Sequence, residues 1–407
     1  MKVSIHTLGC KVNFAESSTL AREYEAAGYE RVGAGREGDE ESEGRIPEAD
    51  LYIVNSCSVT AAADKKCRNL VARLHRRSPA AKIIVTGCYA QRSPAEVASL
   101  SGVTEVRQRD FSRFTPACSH GDRTRSFLKV QDGCDYHCSY CTIGPARGPS
   151  RNGRIVDIVA QAREIASHGV GEIVLTGVNT GDFGRTTGES FLDLLRALDA
   201  VEGIARYRIS SIEPNLLTDG VIDFCASSRA FQPHFHIPLQ SGSDRILGLM
   251  RRRYTAAKFA DRIERVRSVM PDTFFGVDVI VGFPGETDED FGLTFSLLER
   301  LRPAQLHVFP YSVRPETPAA EMHGRVAPRV AAARAALLGE LSQVLHSEFV
   351  ARFAGIEAEV LWEGGRNGGS DLGYAKIMSG FSGNYIRVSA PYDHDKINTI
   401  TKIVVSD

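Results

Sequence analysis

Three short apolar stretches, residues 2–7, 51–55 and 82–86, read as buried strands, and each runs into a cysteine: Cys10, Cys57 and Cys88. Helical patterns follow the first two, over residues 15–27 (with Gly28 as the stop) and from Val59 to about residue 77. Strand–helix alternation predicts a parallel sheet, whose C-terminal strand ends converge on one crevice. Three thiols far apart in sequence are therefore expected at one sheet edge. Between the first two units, residues 33–47 are rich in Gly, Glu and Arg and read as a solvated loop.

The alternation resumes over residues 126–350, with strands expected at 172–176, 207–211, 234–237, 273–281 and 305–310, predicting a second parallel sheet or barrel. Residues 341–353 close the last long amphipathic helix. Beyond Gly355 the pattern turns to short alternating segments, 357–361, 373–378, 384–388 and 400–405, as in a small all-β module. The expected architecture is α/β throughout: an N-terminal parallel domain (1–120), a partial (β/α) barrel (125–353) and a small β-barrel (354–407). No run of about 18 apolar residues is present, so no membrane span is expected. Met1-Lys2-Val3-Ser4-Ile5-His6 lacks the apolar stretch of a secretory leader, so a cytoplasmic protein is expected. Cytosolic thiols stay reduced, so the nine cysteines call for a use other than disulfides. With a net charge of −1, any nucleic-acid site must be a local patch.

The densest chemistry lies in Asp132-Gly133-Cys134-Asp135-Tyr136-His137-Cys138-Ser139-Tyr140-Cys141. A structural zinc site closes with four ligands, and no fourth matching ligand lies near. Three thiolates at x3 and x2 spacing suit three irons of a [4Fe–4S] cluster and leave the fourth iron open. Unrelated buried thiols are the remaining alternative, poorly matched to this density.

Cys134-x3-Cys138-x-Tyr140-Cys141 resembles the signature of radical S-adenosylmethionine enzymes. The resemblance implies that S-adenosylmethionine chelates the open iron and is cleaved to a 5′-deoxyadenosyl radical, with Tyr140 against its adenine. Leu8-Gly9-Cys10-Lys11-Val12-Asn13, Asn55-Ser56-Cys57-Ser58-Val59-Thr60 and Thr86-Gly87-Cys88-Tyr89-Ala90-Gln91 look like the N-terminal motifs of methylthiotransferases within that superfamily. There, Cys10, Cys57 and Cys88 would hold an auxiliary [4Fe–4S] cluster whose free iron carries the sulfur. Two molecules of S-adenosylmethionine would be consumed per turnover, and an electron-donor protein is implied. Singly, a Gly-Cys after a strand is more often a core thiol; Cys67, Cys118 and Cys225 match no motif and read as ordinary thiols.

Later stretches resemble the same family: Pro145-Ala146-Arg147-Gly148, Leu175-Thr176-Gly177-Val178-Asn179-Thr180-Gly181, Ile209-Ser210-Ser211-Ile212-Glu213-Pro214, His236-Ile237-Pro238-Leu239-Gln240-Ser241-Gly242-Ser243, 278–287 and 310–315. They nominate Gly177, Asn179, Ser211, Glu213, Gln240 and Arg252 as cofactor contacts, against a plain reading as turn or cap residues. Cys10-Lys11-Val12-Asn13 and Val59-Thr60-x3-Asp64-x-Lys66 look most like the MtaB-type branch. So does the short final module, which resembles the RNA-gripping TRAM domain. That branch modifies C2 of threonylcarbamoyladenosine beside the tRNA anticodon; others act on isopentenyladenosine in tRNA or on a ribosomal-protein aspartate. A two-cluster electron carrier or a plain RNA-binding protein explains the motifs less well.

The expected partner is tRNA, not DNA or a membrane. The final module is not basic, with five Lys and Arg against seven Asp and Glu after Gly355, so phosphate contacts are expected elsewhere. Arg147, Arg151 and Arg154, just after the cysteine loop, are the nominated RNA contacts. Arg73, His75, Arg76 and Arg77 read as the dipole-compensating end of a helix. Tyr374, Phe381 and Tyr385 suit either base stacking or barrel core. Ile143-Gly144-Pro145 departs from the family's usual Ile-Pro.

Overall fold

The structure, a computed structural model, describes residues 1–33, 46–121, 123–364 and 377–405. In chain order the strands are β1 (Lys2–Thr7), β2 (Glu30–Arg31), β3 (Leu51–Ser56), β4 (Lys82–Gly87), β5 (Val103–Val106), β6 (Arg125–Lys129), β7 (Gln131–Asp132), β8 (Arg151–Asn152), β9 (Glu172–Thr176), β10 (Arg206–Ile209), β11 (His234–Gln240), β12 (Phe274–Val281), β13 (Gln305–Pro310), β14 (Glu357–Glu363), β15 (Ile377–Ser382), β16 (Arg387–Pro391) and β17 (Ile400–Val404). The first five form one parallel sheet in the order β2-β1-β3-β4-β5. Every residue of β3 is buried, as a central parallel strand covered on both faces requires. One face packs on α2 (Ala61–Arg77) through Leu70, Val71 and Leu74, the other on α1 (Lys11–Ala26) through Ala21. Thr60 caps α2 by accepting from the Ala63 N–H, and Arg76 and Arg77 close its last turn, where cations suit the dipole. The predicted loop at 33–47 lies almost wholly outside the described residues.

Helix α1 starts four residues before the pattern predicted, with Cys10 at its N-cap. Its first turn gains from tertiary packing what its polar sequence withholds: Phe14 meets Phe127 of β6 edge to face, ring centroids 5.6 Å apart. Strand β6, absent from the sequence reading, has only five residues and cations at both ends.

Strands β6, β9 and β10 form one parallel triple and β11, β12 and β13 another. Bridges Tyr207↔Phe231 and Ser211↔His236 join them into an open half-barrel. Leu128, Ile173, Leu175, Ile209, Val277 and Val279 face an outer layer of helices in one apolar core. The opposite face of β6 and β9, through Phe127 and Val174, receives Phe14 and Ala15 of α1. The N-terminal domain thus lodges its first helix against the half-barrel's inner face. The last long helix spans Pro328–Ala351, earlier than predicted, with proline in its first turn.

The final module is an antiparallel sheet in the order β16-β15-β14-β17. The strand predicted at 373–378 falls mostly outside the described residues, as does Tyr374. The one predicted at 384–388 shifts to β16, because Asn384 and Tyr385 form a turn in which Tyr385 has φ 63°. Phe381 and Tyr385 are not free to stack on bases. Their rings lie 4.7 Å apart, and Arg125 stands 4.8 Å above Phe381 and Arg208 4.9 Å from Tyr385. Arg206 donates to the Phe381 and Glu359 carbonyls and Arg208 to those of Ser382 and Gly383, clamping the module to the N-terminal strand ends of the half-barrel. Among the described residues, no helix is long and apolar enough to cross a membrane.

Candidate active site

Because β1, β3 and β4 are parallel neighbours, the chain leaving each delivers its cysteine to one edge. Thr7 registers with Asn55, and Ser56 with Gly87. Cys10 caps α1, Cys57 follows β3 directly, and Cys88 opens α3 (Cys88–Arg92). The approach is close enough to demand glycine: a Cβ on Gly9 would lie 2.7 Å from the Cys57 Cβ, and Gly9 has φ +113°. Asn13 ties the ends together, its Nδ2 donating to the Leu8 carbonyl (2.9 Å) and the Ser56 carbonyl (3.0 Å). The three thiols lie in one another's fields. Burial pushes Cys57 up to about 11 and raises Cys10. A thiolate set there needs a bound cation, which is what the irons of a cluster provide.

The loop cysteines are held differently. The short ribbon β7–β8 pinches the loop base, pairing Asp132 with Arg151. Backbone N–H groups of Tyr136 and Ile143 donate to Cys134 Sγ and Cys141 Sγ, each at 3.4 Å, and Arg252 Nη1 donates to Cys138 Sγ at 3.1 Å. Burial still pushes Cys134 up to about 11 and Cys141 to about 12. The donors aim at the sulfurs and so favour their ionised, iron-binding form. Arg252 also pairs with Glu213 and reaches Tyr254 Oη at 3.2 Å and Tyr140 Oη at 3.5 Å. Burial pushes the Glu213 carboxyl up, with Arg252 opposing.

Beside this loop, Gln131 Oε1 accepts from the Val178 and Asn179 N–H groups (3.0 and 2.9 Å), fixing the turn after β9. A Cβ on Gly177 would come within 3.0 Å of that oxygen. Asn179 is 3% exposed, yet neither side-chain amide atom has a partner. An orphaned buried carboxamide fits a polar cofactor at this spot. Gln240 sits at a bulge in β11 with φ 64°, and Ser211 forms the bridge to His236. Tyr140, Glu213 and Arg252 therefore gather around Cys138. Gly177 and Asn179 form a second group with Gln131.

Two contacts join the half-barrel to the segment after Cys57. Thr142, next to Cys141, donates to the carbonyl of Ser58, next to Cys57, at 3.2 Å. Arg314 donates to Ser58 Oγ (3.1 Å) and pairs with Asp64 at 2.6 Å. A buried ion network reinforces them. Glu16 of α1 takes Arg109 (2.9 Å), Lys129 (3.1 Å) and Arg147 (3.2 Å), while Asp132 takes Arg147 (2.8 Å) and Arg151 (3.0 Å). Burial would raise the Glu16 carboxyl, but Arg147, Lys129 and Arg109 outweigh it and hold it well below the usual range.

This network corrects the RNA assignment of Arg147 and Arg151. Arg147 is 1% exposed and Arg151 6%, and their charges are spent on Glu16 and Asp132. Only Arg154, ahead of the helix Ile155–Ser167, is exposed. Adjacency to the cysteine loop drew attention to these residues, but sequence could not show Glu16 opposite them. Glu16 and Arg109 were likewise missed, and Asp64 entered only as part of the branch motif, without its partner Arg314. Cys67 and Cys225 lie in apolar cores, and Cys118 accepts from Arg22 at 3.4 Å.

Comparison with known proteins agrees with this geometry. Residues 128–298 match the Radical SAM superfamily, and residues 2–106 match the uncharacterized protein family UPF0004. Among solved structures, the radical S-adenosylmethionine methyltransferase TsrM from Kitasatospora setae superposes with a TM-score of 0.57 at 14% identity, over 78% of this chain and 75% of that one. Half-barrel and cysteine loop together define a radical SAM enzyme. Threonylcarbamoyladenosine tRNA methylthiotransferase MtaB of Bacillus subtilis (strain 168) is 36% identical, over 99% of this chain and 93% of its own. The protein of the same name from Thermotoga maritima is 37% identical over 89% and 86%. The tRNA-2-methylthio-N(6)-dimethylallyladenosine synthase of Thermobifida fusca is 35% identical over 88% and 77%. The chain belongs to the radical SAM methylthiotransferase family.

Proposed function

We infer that the protein methylthiolates C2 of N6-threonylcarbamoyladenosine next to the tRNA anticodon. The observation that supports this reading is the presence of two three-thiol sites whose flanking residues meet at the Thr142–Ser58 hydrogen bond. The names of its relatives supply the substrate class. Cys134, Cys138 and Cys141 would hold the cluster that binds S-adenosylmethionine, and Cys10, Cys57 and Cys88 the auxiliary [4Fe–4S] cluster with its sulfur. When bound, these groups supply a 5′-deoxyadenosyl radical and a methylated sulfur, at two S-adenosylmethionine molecules per turnover and with electrons from a donor protein.

The chain's own residues prepare the place. Arg252 steadies Cys138 and pairs with Glu213 beside it, a cation and an acid suited to the carboxylate and amino ends of an amino acid. Asn179 offers a free amide donor and acceptor. Gly177 and Gln240 give the backbone shapes that let a ligand come close. The Glu16–Arg147–Asp132 network ties α1 to the base of the cysteine loop and so would hold the two thiol sites in a fixed relation, as a water-excluding radical site requires. Exposed Arg154 remains the RNA-phosphate candidate, and the C-terminal sheet would act as a TRAM-like module.

The test is mass spectrometry of tRNA nucleosides after anaerobic reaction of the reconstituted protein with threonylcarbamoyladenosine-bearing tRNA. A 2-methylthio product is expected. Its absence with cofactor cleavage intact, and its appearance on dimethylallyladenosine tRNA or a ribosomal-protein aspartate, would move the substrate to another branch.

A further inference from the structure

Six cationic or imidazole side chains crowd the interior of the half-barrel: Lys11, Arg125, Arg208, His234, His236 and His307. Three have an acid assigned. Arg208 takes Glu172 at 2.8 Å, Arg125 takes Glu363 at 2.9 Å, and His236 Nε2 meets Asp278 Oδ1 at 2.7 Å. Glu213, the other acid nearby, belongs to Arg252. Lys11 is half-buried, and among the described residues it has neither a carboxylate nor a hydrogen-bond partner. Its neighbours are the Tyr385 phenol, Arg125 and Arg208 rather than a carboxylate, and a cation so placed calls for an anion.

The histidines reach the same space by register. Asp278 of β12 pairs with Pro238 of β11 and with His307 of β13, and His236 lies two residues before Pro238, on the same face. Intervening Ile237, Val277, Val279 and Leu306 face the helices, so the imidazoles face the interior. One ligand atom from each of His236, Asp278 and His307 lies within 4.8 Å of the others, and all three residues are partly exposed. Lys11 follows Cys10 directly, and Asp278 lies in the field of Glu213 beside Arg252 and Cys138. The imidazoles and Asp278 therefore lie on the inner face of the half-barrel.

The next step rests on the substrate reading above. A threonylcarbamoyl group ends in a carboxylate, whereas a dimethylallyl group is wholly apolar. We propose that Lys11, His236 and His307 bind the carboxylate of the threonylcarbamoyl side chain and thereby select this adenosine over its dimethylallyl counterpart. An apolar group here would leave the Lys11 charge enclosed and unpaired, and sites built for a polar group reject analogues that lack it. Asp278 is engaged by His236 and does not cancel Lys11.

The experiment uses the full chain with both clusters reconstituted, and anticodon stem-loop RNA carrying either threonylcarbamoyladenosine or its threoninamide analogue. The analogue keeps every phosphate and replaces the carboxylate with a neutral amide. Wild type should favour the acid RNA by about tenfold or more in kcat/KM. Lys11→Met and His307→Phe should each bring that ratio towards one, mainly by raising KM for the acid RNA. Iron per chain is measured alongside, and His307→Phe carries the test if Lys11→Met loads poorly. Equal use of both RNAs by wild type, or an unchanged ratio in His307→Phe, overturns the proposal. So does an equal loss on both RNAs, the mark of a phosphate contact. Failure of the underlying substrate reading looks different: neither RNA is methylthiolated, while dimethylallyladenosine RNA is.

Discussion

The two thiol sites bring three cysteines together by opposite routes. Cys134, Cys138 and Cys141 sit in one short loop, and their sulfurs take hydrogen bonds from neighbouring backbone and from Arg252. Cys10, Cys57 and Cys88 come from three separate strand ends and converge only because β1, β3 and β4 are parallel neighbours. A loop site depends on local sequence and two clamps, whereas a sheet-edge site depends on the whole domain. Chemistry that must work on its own suits the loop; chemistry that must be presented to it suits the edge.

Substitution of cysteines breaks this comparison most sharply. Cys138→Ala should abolish 5′-deoxyadenosine formation under anaerobic reducing conditions, assayed by chromatography. Cys57→Ala should leave that cleavage in place and stop methylthio transfer. Equal loss of both products in the Cys57 variant would sink the division of labour.

The link between the sites is the next target. Arg147→Met leaves Glu16 and Asp132 short of a buried cation and should cost about 3–5 kcal/mol in denaturant unfolding, whereas Arg154→Ala should stay within about 0.5 kcal/mol. Thr142→Val removes one hydrogen bond across the opening and should cost about 1 kcal/mol. A larger effect of Arg154 than of Arg147 would contradict the buried network.

A further effect is on pH dependence. Burial, then Arg208 and Lys11, hold His234 well below its ordinary value near 6.5. A depressed imidazole contributes stability that is present above about pH 6.5 and is lost as pH falls, because the unfolded chain binds the proton first. His234 lies 4.4 Å from Tyr385, so acid should loosen the C-terminal module. The unfolding free energy should fall between about pH 7 and pH 5, by at most about 1.4 kcal/mol per pH unit from this group, and the thermal midpoint with it. His234→Phe should flatten that slope without removing it, since burial depresses His307 and His120 too.

Much of this was legible before the fold was known. The loop cysteines declare themselves by spacing, and the edge cysteines by the rule that parallel strands end together. Arg252 and Glu213 were nominated by motif, and the structure adds that they pair at Cys138. Arg147 was misjudged because its partner Glu16 lies on a helix of another domain, and no local pattern reports a contact between domains. Strand β6 escaped because five residues with charged ends carry no clear period, and α1 began early because Phe127, not its own sequence, holds its first turn. The role of Lys11 was hidden for the same reason, since an unpaired charge shows only once its surroundings are in place.

The most direct test is iron content measured together with cofactor cleavage in the Cys10→Ala/Cys57→Ala/Cys88→Ala triple variant. Wild type should hold about eight irons per chain and the variant about four, with 5′-deoxyadenosine still formed and no methylthio product. Unchanged iron in the variant, or loss of all iron with cleavage, would contradict two separately built clusters facing one cavity.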